Sequence, residues 1–233
     1  MKLAEAAPTR RQKVELKEQA IMEAARDAFL ENGYDGTRMA DIARRAGIAE
    51  GTVYLYFRTK NDLMRAFIAG FWADLTEHAI IAVEGIDAPL AALSALATFH
   101  IETLIERFDI VQLTQSEPVH PKTSQQNREY MRTYVQVFDD IWRRGVDRCI
   151  FESETPLWLV RDIFFGTLEY SARTIKFHPE RSAKLVVENL IMVIEQRHRA
   201  LNAEPPQTIA NSDAFLDRLE TLVDRLEGVA GSQ

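Results

Sequence analysis

Between Thr37 and Lys60 the sequence TRMADIARRAGIAEGTVYLYFRTK sets hydroxyls, guanidiniums and a carboxylate at helical spacings around two glycines. Arg38 and Arg44 can each present two N–H groups to the O6/N7 edge of guanine, and Glu50 can accept from the amino group of cytosine. Thr37, Tyr54 and Tyr56 carry hydroxyls and Lys60 an ammonium, the groups that hold phosphate oxygens. Gly51 and Thr52 are small, so a helix beginning at Glu50 can come close to a surface with its free amides and dipole facing an anion. Together these are the groups that recognise double-stranded DNA. Each also has a plainer use. Arg44 and Arg45 serve equally as solvated helix charges, Tyr56 as a packed surface aromatic, and Glu50 as a charge favoured at a helix start.

A second set is spread along the rest of the chain. Phe99, Phe108, Phe138, Trp142 and Phe165 recur at helical spacings, and such aromatics either fill a core or wall an apolar pocket between helices. Arg128, Arg132, Arg173 and Lys176 could hold phosphates or lie solvated on helix faces. Two Glu-x-x-His pairs, Glu117 with His120 and Glu195 with His198, have the spacing that di-metal helical bundles use twice. Pro118 and Pro121 keep the first off a regular helix and the second falls at a helix end, which leaves a metal-containing bundle enzyme as a remote alternative. No HExxH zinc motif, nucleophile elbow or P-loop occurs, so no catalytic residue, metal ligand or cofactor is assigned. His100 is read as a packing residue that could touch a ligand.

What positions these residues is helix throughout. Apolar residues fall three or four apart from end to end and no stretch alternates like a strand, which makes the fold all-α. A first helix is expected from Lys13 to Asn32, with Ile21, Ala25, Ala28 and Phe29 inward and Gly33 as a left-handed cap. Thr37 is placed to N-cap a second helix, Arg38 to Ala46. Gly47-Ile48-Ala49 then turns into a third, Glu50 to Phe57. Ile42, Ala43, Ala46, Ile48, Val53 and Phe57 lock the two short helices into a helix-turn-helix.

Thr59 and Asp62 open a long fourth helix with the stripe Leu63, Phe67, Phe71 and Leu75. Pro89 opens a fifth, Pro118 and Pro121 close a short sixth, and a seventh runs from Ser124 to about Phe151. Pro156 and Pro179 are expected at the first position of the eighth and ninth. LVVENLIMVI in the ninth is apolar on nearly every side, as a helix shared with a second subunit would be. After Leu201, NAEPPQTIANS reads as a linker. Phe215, Leu219, Leu222 and Leu226 then form the apolar face of one more amphipathic helix, packed on the body or on a partner subunit.

The 233-residue chain is 46 % hydrophobic and carries a net charge of −7. Residues 1–63 are nearly neutral, with 11 Lys and Arg against 10 Asp and Glu, while the remainder has 17 against 25. An acidic total excludes a protein that coats nucleic acid regardless of sequence, but not a small module that reads it. No run of about 18 uninterrupted apolar residues occurs and the first residues lack a signal-peptide stretch, so no membrane partner is expected and the location is read as cytoplasmic. The single cysteine, Cys149, excludes an internal disulfide and a cysteine zinc site and is expected in the core.

The segment TRMADIARRAGIAEGTVYLYFRTKNDL resembles the DNA-binding motif of the TetR family of repressors, through Gly33-Tyr34, Thr37, Ile42-Ala43, Ala46-Gly47 and Gly51-Thr52-Val53-Tyr54. The match runs from Ala20 to Leu63. It implies nine helices, the first three binding DNA, a divergent C-terminal ligand-binding part, and dimerisation through the last two. The expected division is 1–58 for the N-terminal arm and helix-turn-helix, 59–201 for ligand binding and dimerisation, and 202–233 for the linker and additional helix, which the resemblance does not explain. Carried over by position, Thr37, Tyr54, Tyr56 and Lys60 hold the DNA backbone, while Arg38, Arg44, Glu50, Gly51 and Thr52 face bases. Ala49 stands where the family often has Ser or Thr, weakening the cap of the reading helix by roughly 1 kcal/mol or less.

IVQLTQSE, DIFFGTLEYSARTIK and AEGTVYLYF are further similar to TetR-type regulators of fatty-acid degradation, whose effectors are long-chain acyl-coenzyme A thioesters. Thr114-Gln115-Ser116-Glu117 departs from those relatives, which usually carry a basic residue there. The implied function is a ligand-responsive repressor. It binds palindromic operator DNA as a homodimer and is released by a hydrophobic effector, long-chain acyl-CoA being the candidate. Phe99, Phe108, Phe138, Trp142, Phe165, Arg128, Arg132, Arg173 and Lys176 are the candidate ligand residues. The alternatives are a multidrug sensor controlling an efflux pump, in which Glu102, Glu117 or Glu169 would neutralise a cationic drug, and an adaptor that recruits a partner through its terminal leucine repeat.

Overall fold

The computed structural model of the chain describes residues 9–116 and 121–199. Among the described residues run nine helices and no strand: α1 (Arg10–Gly36), α2 (Met39–Arg45), α3 (Glu50–Tyr56), α4 (Lys60–Val83), α5 (Pro89–Glu106), α6 (Phe108–Ser116), α7 (Pro121–Asp147), α8 (Leu157–Phe177) and α9 (Ala183–His198). The pair Glu117/His120 and the expected terminal helix lie outside them.

Local chemistry sets the ends of the first helices. α1 starts one turn earlier than its apolar pattern suggests, because Thr9 and Gln12 form a reciprocal capping box. It breaks at Gly33, whose φ of +67° suits a residue without a Cβ, and resumes for one turn to Gly36. Thr37 does not cap α2. Arg38 takes the N-cap position without a side-chain bond, while Thr37 is 2 % exposed and its hydroxyl lies 2.7 Å from Gly33 O and 2.9 Å from Ala28 O. Carbonyls near the end of α1 take that hydroxyl instead of the α2 N-terminus. Gly47, also at φ +67°, ends α2, and Ile48 N donates to Ala43 O at 3.0 Å. Thr59 caps α4 by accepting from Asp62 N at 3.0 Å.

Two apolar clusters form. The first joins Ile21, Ala25, Ala28 and Phe29 of α1 to Ile42 and Ala43 of α2, Val53 of α3, and Leu63, Met64, Phe67 and Ile68 of α4. The second surrounds α5, which packs on α4, α7, α8 and α9 and so buries Ala92, Leu93, Leu96, Ala97 and Ile101 completely. α4 belongs to both, entering the second cluster at Phe71, Leu75 and Ala79. Its 24 residues are apolar enough to cross a bilayer by composition, and here that apolarity is divided between two cores and a groove. α6 makes a second link, with Leu113 buried in the first cluster and Ile110 packed against both.

Several sequence expectations are corrected in the second half. α7 begins at Pro121, at its favoured helix-start position, and ends at Asp147 because the chain turns through Cys149 at φ +55° and folds Phe151 back over Gly145. Cys149 is therefore exposed. Pro156 is the residue before α8, and Ser182, accepting from Leu185 N at 3.2 Å, starts α9 three residues after Pro179. An isolated antiparallel bridge between Phe151 and Arg199 ties the end of α9 to the α7–α8 turn, where Glu152 N donates to His198 O at 2.8 Å.

Candidate functional site

The helix-turn-helix presents a distinct outward face. Val53 and Phe57 are buried, which by helix geometry turns Glu50, Gly51, Tyr54 and Leu55 outward and leaves Thr52 and Tyr56 half-buried. Arg38 is exposed at the entry of α2. Arg44 is exposed and held by Asp41 at 2.7 Å, so it leaves α2 as a partnered cation. Arg45 forks onto Glu31, clamping α2 to α1 and lowering the pKa of that carboxyl through the hydrogen bond.

Lys60 reaches the α1–α2 turn. Its ammonium donates to Tyr34 O at 2.6 Å, Thr37 O at 3.0 Å and Asp35 O at 3.3 Å, and lies 4.3 Å from the centre of the Tyr34 ring. Thr37 and Lys60 thus stitch the α1–α2 turn, and Tyr56 packs against the first cluster. Leu55, 85 % exposed, was missed by sequence reasoning. Its signal was available: with 53 and 57 fixed as the inward pair, position 55 must point out.

In the larger part, two adjoining cavities of about 660 and 590 Å³ share Thr76, Ile80 and Thr133, and together make one open groove along α4 and α7. Val83, Val137 and Ile141 line one end and Trp72 and Tyr130 the other, with Arg132 and Arg144 on α7 beside them. The Nε of Arg144 is buried without a hydrogen-bond partner. Tyr130 to Arg144 spans about 21 Å of helix. A smaller cavity of about 290 Å³ lies between α5, α6 and α8, lined by Phe108, Glu169, Tyr170 and Arg173. Burial raises the Glu169 carboxyl above its usual range.

Residues 21–67 match the bacterial regulatory proteins of the tetR family, and residues 72–175 match the C-terminal region of YsiA-like proteins, which takes the correspondence through α4 to the end of α8. The chain belongs to the TetR family. Among the proteins this TetR member is similar to is the fatty acid metabolism regulator protein of Bacillus subtilis, 23 % identical over 174 residues, or 74 % of this chain and 90 % of the relative. The transcriptional repressor KstR2 of Rhodococcus jostii is 27 % identical over 61 % of this chain and 73 % of its own length. In fold it is similar to FadR from Bacillus subtilis, solved in complex with stearoyl-CoA (TM-score 0.66, 21 % identity, covering 76 % of this chain and 96 % of that one). The fatty acid degradation regulator FadR from Bacillus halodurans gives a TM-score of 0.67 at 23 % identity, covering 78 % of this chain and 97 % of that one.

Against this TetR frame the expected ligand residues separate. Phe138, Trp142 and Phe165 are core, not pocket wall: Phe138 is fully buried against Phe164, and Trp142 stacks on Phe151 at 4.4 Å between centroids. Phe99 lines a cavity of about 200 Å³ with Asp74 and Arg107, and Phe108 lines the α5/α6/α8 cavity. The four cations do not converge. Arg132 borders the α4/α7 groove and Arg173 the cavity on the other side, Lys176 sits 5.7 Å from the Phe108 ring, and Arg128 is exposed on α7. Arg144, Thr76, Ile80 and Ile141 were missed, although Arg132, Gln136, Asp140 and Arg144 follow one another at i, i+4 along α7.

His100 is buried with Nδ1 2.7 Å from the Tyr134 hydroxyl, and burial pushes its pKa down to about 3, so the imidazole is neutral. Its rings contact Tyr134 and Phe165, in keeping with a packing role. His198 pairs with Glu152 at 2.7 Å rather than with Glu195, and no group of three or more metal-type side chains occurs among the described residues.

Proposed function

We propose that this chain is a cytoplasmic, non-enzymatic transcriptional repressor that binds a palindromic operator as a homodimer and leaves it when a hydrophobic effector, of the long-chain acyl-CoA class, occupies the α4/α7 groove. The observation that carries this reading is the double membership of α4. Leu63, Met64, Phe67 and Ile68 fix its first half in the core of the helix-turn-helix, and Thr76, Ile80 and Val83 of its second half wall the groove. A ligand between α4 and α7 therefore acts on the helix that carries the reading head.

The groove's chemistry suits an amphiphile. Ile80, Val83, Val137 and Ile141 offer an apolar bed, and Arg132 and Arg144 can take phosphates. On the DNA side, Arg38, Arg44, Glu50, Gly51, Thr52 and Tyr54, with Leu55 beside a thymine methyl, would enter the major groove while Thr37, Tyr56 and Lys60 hold the unit's shape. For the dimer, exposed Leu159, Ile163 and Tyr170 on α8 and Leu185, Met192 and Val193 on α9 offer apolar surface for a second copy, contiguous with the buried Leu190 and Ile194. The acyl-CoA assignment is supported by the relatives' names and by the stearoyl-CoA complex of the similar FadR.

The test is a gel shift of the chain's own upstream DNA at fixed salt, with palmitoyl-CoA, free palmitate and a cationic dye added separately. Release by palmitoyl-CoA alone is expected. Release by the dye alone would replace the fatty-acid reading with a drug sensor, and a specific shift that no addition disturbs would refute the groove as an effector site.

A further inference from the structure

We infer that the first three turns of α1 are a second DNA contact, in which Arg10, Lys13 and Lys17 hold phosphates of the duplex that flanks the sequence read by α3. The inference rests on the DNA-binding reading above and adds to it a surface outside the helix-turn-helix. Residues 10–19 are exposed throughout, ahead of Ile21, where the first cluster and the family correspondence both begin. They nevertheless form regular helix, held by the Thr9–Gln12 capping box and by the i, i+4 pairs Arg11 with Glu15 at 2.8 Å and Gln19 with Glu23 at 3.2 Å. A rod of about 16 Å therefore stands clear of the core.

The charge of this rod is arranged by face. In the packed half of α1, Ile21, Ala24, Ala25 and Ala28 form a row that enters the first cluster. Counted back in steps of three and four residues, the same row continues through Lys17, Val14, Lys13 and Arg10. The face that is small and apolar over the core is thus cationic where the core stops. Glu15 and Glu18 lie at least about 100° around the helix from the centre of the three cations. The arrangement does not serve the helix, because Arg10, Arg11 and Lys13 sit at the positive end of its dipole with no acid in the first turn. Thr9 already caps that end, so the surface is the side-chain row and not the helix terminus.

Such a row fits a polyanion, and the DNA-binding unit has few other cations to offer one. Among the described residues up to Phe67, Arg11, Arg26, Arg44, Arg45 and Arg65 are paired with carboxylates, and Lys60 is taken by backbone carbonyls. The side chains of Arg10, Lys13, Lys17, Arg38 and Arg58 keep no such partner among the described residues, and the first three of these are the row. Operator affinity depends on the number of phosphates neutralised, so the row holds most of the charge that the unit has left for them. It also continues the face on which the unit is packed, and duplex DNA runs on past any site that α3 reads. At 3.4 Å per base pair, a rod of about 16 Å spans about five flanking base pairs.

The experiment uses the full chain and a DNA site that it selects from a pool of random duplexes, prepared at its minimal length and with ten more base pairs on each side. The triple variant Arg10→Gln, Lys13→Gln and Lys17→Gln removes the charge and keeps the helix propensity, so its urea midpoint should equal that of the unaltered chain. At fixed salt the unaltered chain should bind the longer duplex at least ten-fold more tightly than the shorter. The variant should lose that gain and keep its affinity for the shorter duplex. On the longer one its plot of log K against log salt should be flatter by about 2.7 per subunit. Lys13→Arg with Lys17→Arg, which preserves the charge, should keep the gain. A triple variant that retains the gain, or an unaltered chain indifferent to flank length, overturns the proposal. So does a loss by the same factor on both duplexes or a lowered midpoint, either of which would assign the row to the acidic body of the chain. A chain that selects no duplex refutes the DNA reading itself, and the inference with it.

Discussion

Replacing Lys60 by Met separates two roles that a lysine beside a helix-turn-helix can have. In the structure the ammonium donates to three carbonyls of the α1–α2 turn and sits over the Tyr34 ring, so it acts as a staple. Hydrogen bonds to a charged donor contribute about 1.5–3 kcal/mol when buried. Lys60 is half-buried, which reduces that value, and the cation–π contact returns about 0.5–1 kcal/mol. Methionine keeps the apolar stem, so the expected loss is about 2 kcal/mol, read as a lower urea midpoint at unchanged slope. The same variant is then tested for operator binding across a salt series. Each phosphate contact removed flattens the plot of log K against log salt by about 0.9, or roughly 1.8 for two half-sites. A staple predicts lost stability and an unchanged slope. An unchanged midpoint with a slope flatter by that amount would refute the assignment and restore Lys60 as a phosphate ligand.

Thr37→Val should cost about 1–3 kcal/mol of stability, since the hydroxyl serving Gly33 O and Ala28 O is removed from a buried site; thermal unfolding reads the loss. Gly145→Ala would drive a methyl into the ring of the buried Phe151, and should destabilise by about 1–3 kcal/mol, measured by denaturant unfolding. Glu152 loses solvent, which raises its pKa, but the hydrogen bonds from His198, Thr155 and two backbone amides outweigh this and hold it at about 2. The depressed pKa adds stability above the ordinary carboxyl range that disappears as pH falls through it towards 2, by at most about 3 kcal/mol. Glu152→Gln should therefore lower stability at pH 7 and flatten its acid dependence; an unaltered acid limb would contradict the pairing. Ile80→Asp, on an exposed groove position, should weaken palmitoyl-CoA binding at least ten-fold while leaving operator affinity unchanged, as fluorescence titration and gel shift would read separately.

Helices and their stops were readable where a single residue decides the backbone. Gly33 and Gly47 adopt positive φ where the pattern demanded a break, and Thr59 caps α4 as its position implies. The outward face of α3 was also readable, because burying Val53 and Phe57 leaves no freedom for the others. What the pattern could not decide is the direction of polar groups with two available partners. Thr37 and Lys60 are near phosphate-binding positions in sequence, yet both donate to backbone carbonyls of α1 and the turn that follows it. Aromatic spacing likewise does not separate core from pocket wall. Phe138 and Trp142 share α7 with the groove residues Thr133 and Ile141, and a rotation of the helix by part of a turn divides the two sets. That rotation depends on how α7 meets α4 and α8, a long-range property absent from local periodicity.

The placement of α4 has a mechanical consequence for induction. At 24 residues it is about 36 Å long, so a tilt of roughly 5° about one end moves the other by about 3 Å. Four buried side chains, Leu63, Met64, Phe67 and Ile68, oblige α1–α3 to follow, since exposing any one of them costs about 1.5–3 kcal/mol. α6 opposes the same motion from the other side, because Leu113 and Ile110 tie the first cluster to the body independently of the groove. Effector binding and effector response are therefore distinct quantities. A ligand that fits the groove equally well at both angles of α4 binds and releases nothing, and a ten-fold preference for the tilted state yields at most a ten-fold loss of operator affinity. Substitutions at Ile110 or Leu113 should alter the second quantity while sparing the first, because they change the resistance to tilt and neither residue lines the groove.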